Sequence, residues 1–289
     1  MSAKFIPPCY GDFDRLIKNL FDGYGFGELK VKSELPVGSQ NGKLVVRTSG
    51  TSKIVNGKVE GMAEMAYSHN AWKITEKVNE DGMLKSTITN EDQALKGLKG
   101  TLETVYNPDT NHKSLAIRTA YKRPYIHHTG AVEFDFLGKV MRTSLAVSYP
   151  CGGMLGGEIM YETTLGRITS SSVGAAYNAS DFTASVTWQS MVDILVSVHQ
   201  RISPRLQVGA QFMSSPHRSD WNNLILGMRY QLDDQSHVKA KISSQGTLGL
   251  AYNYRLTQKP FATVTLSALI DTRRLNQPAH RLGASLQLC

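Results

Sequence analysis

Cysteine is scarce in this chain and scattered. Three in 289 residues, at positions 9, 151 and 289, form no CxxC pair and leave an odd count. That excludes a disulfide scaffold and an ordinary cysteine-based zinc site, and thiols this sparse suit a reducing or neutral compartment. No run approaches the ~20 consecutive apolar residues of a membrane-spanning helix, which excludes a helical membrane protein. The opening MSAKFIPPCY has neither the apolar core of a secretory signal nor the arginines of a presequence. No helical pattern recurs between the apolar segments, which argues against a βαβ fold, and no linker or composition shift divides the chain. What is present is 41% hydrophobic residues, too many for a disordered chain, and 32 Lys+Arg against 24 Asp+Glu, a formal charge of +8.

One segment near the start has helical periodicity. Phe13, Leu16, Ile17, Leu20 and Phe21 fall on one face, with Asp12, Asp14, Arg15, Lys18, Asn19 and Asp22 opposite. Asp12 is placed near the N-cap and Gly23 where a helix stops, so the spacing predicts a helix over Asp12 to Asp22. So short a helix is unstable alone in water, and its apolar stripe must dock on something.

After Gly23 the period changes to two. Leu224, Leu226, Met228, Tyr230 and Leu232 alternate with Asn223, Ile225, Gly227, Arg229 and Gln231, and the same alternation runs through Phe182–Gln189, Leu206–Phe212, Leu248–Arg255 and Leu115–Lys122. Turn signals separate the runs: Asn41-Gly42, Asn56-Gly57, Asp81-Gly82, Asn107-Pro108-Asp109, Gly152-Gly153, Ser203-Pro204, Asp233-Asp234 and Lys259-Pro260. Neighbouring strands are so close that hairpins must join them, giving an antiparallel meander that has to close or split into layers. Three features favour a membrane barrel, apolar outside and wet inside, over a soluble sandwich. Tyrosines cluster near strand ends (Tyr106, Tyr121, Tyr149, Tyr161, Tyr177, Tyr230, Tyr254), the opposite faces are rich in small and polar residues, and strands of roughly ten residues suit a tilted span.

These features converge on a known family. Tyr10, Asp12, Phe21 and the run Gly23-Tyr24-Gly25-Phe26-Gly27 resemble the N-terminal helix and glycine hinge of the voltage-dependent anion channels, the mitochondrial porins. The likeness continues, in order, through Ile74-Thr75-Glu76-Lys77, Gly97-Leu98-Lys99, Ala120-Tyr121-Lys122-Arg123, Phe134-Asp135-Phe136, Thr265-Leu266-Ser267-Ala268-Leu269-Ile270-Asp271 and His280-Arg281-Leu282-Gly283. The resemblance implies an all-β transmembrane barrel of 19 strands, its first and last strands paired in parallel, with the amphipathic helix inside the lumen. It divides the chain into an N-terminal segment, 1–27, and a barrel, 28–289. It implies a voltage-gated, weakly anion-selective pore of the mitochondrial outer membrane for ATP, ADP, phosphate and small metabolites. No enzyme activity and no resident cofactor are expected, and no nucleic-acid partner. The alternatives are a protein-translocating barrel of the same superfamily and a soluble ligand-binding β protein.

The resemblance also assigns residues. The pore helix would present Asp12, Arg15, Lys18 and Asn19, and Gly23, Gly25 and Gly27 would form the hinge, where glycine tolerates positive φ. By strand parity, Lys30, Lys32, Lys73, Lys77, Arg118, Lys122, Arg229, Lys239, Lys241 and Arg255 face the lumen, opposed by Glu28, Glu103, Glu133, Asp135, Glu158 and Asp193. An excess of positive charge in a wide wet passage gives weak anion preference. Glu76 shares a face with Trp72, Ile74 and Val78, so its carboxyl points at lipid. In the family the matching residue is linked to oligomerisation and hexokinase binding, and the resemblance extends the partners to apoptosis regulators. Weak binding of NAD or ATP is carried over onto Arg15, Thr247, Leu248, Gly249, Ser267, Ala268, Leu269, Ile270 and Asp271. His127 and His128 are adjacent on a strand, point to opposite faces, and cannot readily chelate one metal.

Overall fold

The computed structural model describes residues 6–39, 42–54, 57–93, 95–135, 138–190, 192–215, 222–256, 261–275 and 280–288. Nineteen strands follow one another. They are β1 (Glu28–Ser39), β2 (Gly42–Lys53), β3 (Val59–His69), β4 (Trp72–Asn79), β5 (Leu84–Glu91), β6 (Leu98–Asn107) and β7 (His112–Arg123). Next come β8 (Ile126–Asp135), β9 (Gly138–Ser148), β10 (Gly153–Glu162), β11 (Arg167–Asn178), β12 (Phe182–Gln189) and β13 (Asp193–Arg201). The last are β14 (Leu206–Ser214), β15 (Asn223–Gln231), β16 (Ser236–Ser243), β17 (Thr247–Leu256), β18 (Ala262–Asp271) and β19 (Arg281–Leu288). Each pairs antiparallel with its sequence neighbours, and β1 also pairs with β19 in parallel, from Leu29 opposite Ala284 to Ser33 opposite Leu288. The sheet is a closed barrel.

The turn residues account for the hairpins. Gly82 and Gly152 take φ of 66° and 90° between β4 and β5 and between β9 and β10. Asn107 Oδ1 accepts from the Asp109 N–H at 3.0 Å, closing an Asx turn between β6 and β7. Asp233 accepts from the N–H of Gln235 at 2.8 Å and from the Ser236 hydroxyl at 2.8 Å, and the Ser236 bond leads in holding its carboxyl below the ordinary range. Asn41, Asn56, Lys259 and Pro260, Phe136 of the family motif, and Cys289 lie outside the described residues.

Because directly paired residues share a face, the register carries one orientation round the whole wall. Leu29, Met65, Ile74, Leu102, Leu155, Val186, Leu226 and Leu266 are exposed on the outside. The residues between them point inward. The tyrosines at positions 106, 161, 177, 230 and 252 lie in the outer set. Among the described residues no helix is long and apolar enough to cross a membrane, so any crossing is made by strands.

The N-terminal helix is shorter than its periodicity predicts. Tyr10–Asp12 forms a 3-10 turn and Arg15–Phe21 an α-helix, α1, in place of one helix over Asp12 to Asp22. Asp12 makes no capping bond, and Asp14, the residue before α1, sits at φ −103° and ψ 16°, outside helical geometry. The wall explains the break. The 3-10 turn and Phe13 beside it put Tyr10 and Phe13 onto β9–β11, against Ala146, Met154 and Ala176. The chain must then shift before α1 can lay Ile17, Leu20 and Phe21 on β13–β15. Leu16, expected in the apolar stripe, is 42% exposed and faces the lumen, whereas Asp14, expected on the polar face, is buried.

Candidate functional site

The lumen and the segment docked in it form the candidate site. The hinge comes first. Gly23, Gly25 and Gly27 have φ of 81°, 65° and 73°, a left-handed run that other residues adopt only with strain, and it reverses the chain from α1 into β1. Ser267 Oγ donates to Gly25 O at 3.4 Å, and the Gly27 N–H donates to Leu282 O at 3.1 Å, so the hinge is fastened to β18 and β19, the last two strands of the closed wall.

The seat for the segment is cut from glycine. At the inward positions Gly156, Gly209, Gly227 and Gly249, an added Cβ would run into Tyr10 and Phe13, into Ile17 and Leu20, into Phe21, and into Phe26 respectively. Those side chains occupy the space that the wall leaves empty. Phe13, Ile17, Leu20 and Phe21 are 4%, 1%, 3% and 7% exposed, and burial of each is worth roughly 1.5–3 kcal/mol. The sequence does not announce this role: Gly249 is assigned there to nucleotide, and Gly156, Gly209 and Gly227 carry no assignment. Their signal is a glycine at an inward position in the middle of a strand, which marks close backbone approach.

The C-terminal end of α1 is held by two cations from β16. Lys239 Nζ donates to Asn19 O at 2.8 Å and to Asp22 O at 3.1 Å, and Lys241 Nζ donates to Phe21 O at 2.8 Å. These carbonyls have no partner within the helix and carry the negative end of its dipole. Lys241 also lies 4.5 Å from the Tyr24 ring centroid and 5.3 Å from that of Phe26. The two residues expected to act as lumen charges therefore serve chiefly as anchors, because a helix terminus already uses their protons.

All ten cations assigned by parity occupy inward register positions. They differ in what they meet. Arg118 pairs with Glu133 at 3.1 Å and Glu103 at 3.4 Å, and Lys85 joins Glu103 at 2.6 Å. Arg47 bridges Glu34 and Glu64 at 3.1 and 2.8 Å. Arg142 stands 3.9 Å from Glu158, and His112 stands 3.2 Å from Asp135. Among the described residues Lys30, Lys32, Lys73, Lys77 and Lys122 form no ion pair. The wall is thus two-sided. β1–β10 carry most of the lumen charge, whereas β11–β15, which include the α1 seat on β13–β15, line the lumen mainly with uncharged groups such as Ser185, Ser197 and Gln211, with Arg167, Asp193, Arg201 and Arg229 as the charged exceptions at inward register positions.

On the docked segment Arg15, Lys18 and Asn19 are exposed to the lumen and Asp12 is half-buried. Lys18 Nζ bridges to Asp14 at 2.8 Å and donates to Gly11 O at 3.1 Å. Cys9 lies against Asp12, and burial, reinforced by that carboxylate, pushes its thiol up to about 11. His127 points inward and His128 outward; His127 Nδ1 lies 3.1 Å from Pro7 O, a carbonyl that can only accept, so the proton sits on Nδ1.

Of the residues assigned to nucleotide, Thr247, Gly249, Ser267, Leu269 and Asp271 are inward, whereas Leu248, Ala268 and Ile270 are outward. A contiguous run on a strand cannot all line one side, so the side chains of the last three point away from the lumen. Ser267 is itself committed to the hinge. Glu76 is outward, opposite Met65 and Ser86, and its Oε2 accepts from Ser86 Oγ at 2.5 Å.

A family model described as eukaryotic porin matches residues 6–283. The chain is 31% identical over 288 residues to the non-selective voltage-gated ion channel VDAC2 of Xenopus laevis, covering 98% of this chain and 99% of that one. It is 31% identical over 285 residues to the human non-selective voltage-gated ion channel VDAC1, and 32% identical over 286 residues to VDAC2 of Meleagris gallopavo.

Proposed function

Because the chain belongs to the eukaryotic porin family, we propose that it is a voltage-gated, weakly anion-selective diffusion pore of the mitochondrial outer membrane, passing ATP, ADP, phosphate and small metabolites. The observation that carries this is the two-sided lumen. Unpaired lysines at positions 30, 32, 73, 77 and 122 line one half of a water-accessible wall, and the docked segment occupies the other. Cations along a wide passage raise the local anion concentration modestly, since screening acts within ~10 Å at ~0.1 M salt. That favours anions without stripping their water, so metabolites as large as nucleotides can pass. Inward Thr247 and Asp271, with Arg15 on the docked segment, give NAD or ATP a polar resting place of low affinity. Glu76, with Ser86, offers a polar point on the outer face for homo-oligomer contacts, for hexokinase and for apoptosis regulators.

Voltage sensing is assigned to the N-terminal segment, whose charges Asp12, Arg15 and Lys18 sit on a body hinged at glycine. Recording from the protein in planar bilayers under a salt gradient tests the reading. Large conductance steps that close with voltage, and a reversal potential on the anion side, are expected. Absence of voltage-dependent steps rejects the channel; a cation-side reversal rejects the charge argument alone.

A further inference from the structure

The outward positions of the described strands carry few charges: Glu76, Lys113, Arg123 and Lys139. Lys113 stands opposite Tyr106, with Nζ 5.6 Å from the ring centroid. Lys139 stands opposite Phe134, with Nζ 5.3 Å from its centroid. Both lysines are exposed. Arg123, at the far end of β7, donates from Nε to Tyr121 Oη at 2.8 Å. Ten residues separate Lys113 from Arg123, about 34 Å along a strand. At the tilt of a membrane barrel that is about 25 Å along the normal, the height of an apolar band. Lys113 and Lys139 therefore mark one polar boundary, seen from the lipid side. They project from strands two apart, about 10 Å across the sheet.

A groove of about 620 Å³ runs down from that boundary, lined by Leu84, Ser86, Thr104, Tyr106, Lys113 and Leu115. Its chemistry changes in steps. One outward rung deeper, about 7 Å along the strand, Ser86 faces Thr104 and Thr104 faces Leu115, which puts two hydroxyl side chains on the outer surface. The next rung is aliphatic: Ile88, Leu102 and Ile117. Ammonium over aromatic rings, then hydroxyls, then hydrocarbon is the order in which a phospholipid presents phosphate, glycerol ester and acyl chain. The neighbouring acids are not partners of the lysines: Asp135 points inward beside His112, and Glu76 stands on β4, three strands and about 14 Å across the sheet from Lys113.

We propose that the outer face of β5–β9 binds an anionic phospholipid, with its phosphate between Lys113 and Lys139, its ester region at Ser86 and Thr104 and an acyl chain over Ile88, Leu102 and Ile117. The source is a lipid and not a soluble anion, because these two cations stand on the side of the wall opposite the water-filled lumen. The inference rests on the barrel spanning a bilayer and is independent of what the lumen conducts.

The test is titration of the full chain with phosphatidylglycerol, counting bound lipid by native mass spectrometry. The parent is expected to hold a first lipid tightly, and the double variant K113Q/K139Q more weakly by about fivefold per lysine. The lumen variant K73Q/K77Q is the control and keeps the parent's affinity. A double variant within twofold of the parent overturns the site, as does an equal loss in the lumen variant. Displacement of the lipid by millimolar glycerol 3-phosphate overturns the choice of a lipid. Channel steps in a bilayer confirm that each variant is folded, so a lost first lipid with intact steps separates this claim from the proposed pore.

Discussion

Lys241 Nζ donates to the carbonyl of Phe21 at 2.8 Å, although the two residues lie 220 positions apart. With Lys239 on Asn19 and Asp22, this bond closes the open end of α1 and fixes it to β16. Both lysines sit among side chains that partly exclude water, where a charge-assisted hydrogen bond contributes about 1.5–3 kcal/mol. The docked segment is therefore seated in glycine hollows along its length, from Tyr10 to Phe21, and its C-terminal end alone is also held by ammonium groups.

Removing the ammonium groups loosens the second attachment only. The double variant K239Q/K241Q is expected to close at lower voltage than the parent, while its open conductance stays similar. Planar-bilayer recordings check this. An unchanged closing voltage sinks the anchor role.

Filling a hollow has a different signature. Gly209→Val suits a strand but places a side chain where Ile17 and Leu20 lie, so the barrel forms and the segment does not dock. Cys9 reports this once Cys151 and Cys289 are replaced by serine. In the docked state the neutral thiol is favoured up to about 11, so its alkylation rate rises tenfold per pH unit through that range. Docking favours the neutral form; it therefore weakens as pH climbs from the ordinary thiol range, ~8.5, toward about 11. In the Gly209→Val variant the thiol returns to the ordinary range and should react on the order of tenfold faster at about pH 8, the gain in thiolate being partly offset by its lower nucleophilicity. Equal rates in parent and variant contradict the docking geometry.

Selectivity should follow the unpaired cations rather than the paired ones. K73E/K77E reverses two charges in the open half of the lumen, and the reversal potential in a salt gradient should move to the cation side. The matched reversal K239E/K241E, with the same change of charge, should show a smaller shift, since those protons already face carbonyls. The opposite ranking refutes the division of the wall into conducting and anchoring lysines.

Glu76→Gln keeps an acceptor for Ser86 and removes a charge that is costly against acyl chains. Altered dimer crosslinking or altered hexokinase docking is expected. If both assays match the parent, Glu76 has no such part.

Much of this was legible in the sequence, for physical reasons. Alternation has only two phases, so placing Leu226 outside put Arg229 and Arg118 inside and Glu76 at the lipid face. Alternation carries no information about what an inward side chain meets. Lys73 and Lys241 look alike in the sequence, yet only the second has a helix end in reach. The same limit hid the hollows at Gly156 and Gly209, because a missing side chain gains meaning only from the residue that fills it. Phe13 to Phe21 fits one apolar stripe and so reads as a single helix, while the wall offers two landing sites with a gap at Asp14. Leu248, Ala268 and Ile270 show why a family motif does not map directly onto a pore lining: motifs are contiguous and strand faces alternate.

An antiparallel meander with an odd number of strands ends running the way it began, so its closure is forced to be parallel. That junction has five register pairs, against twelve between β1 and β2, and its slanted hydrogen bonds are individually weaker. Its partners are the extremes of the strand order, so it can zip only after every hairpin between them is in place, the longest loop the chain has to close. The cylinder thus has one predetermined line along which assembly finishes, and along which mechanical or thermal opening begins.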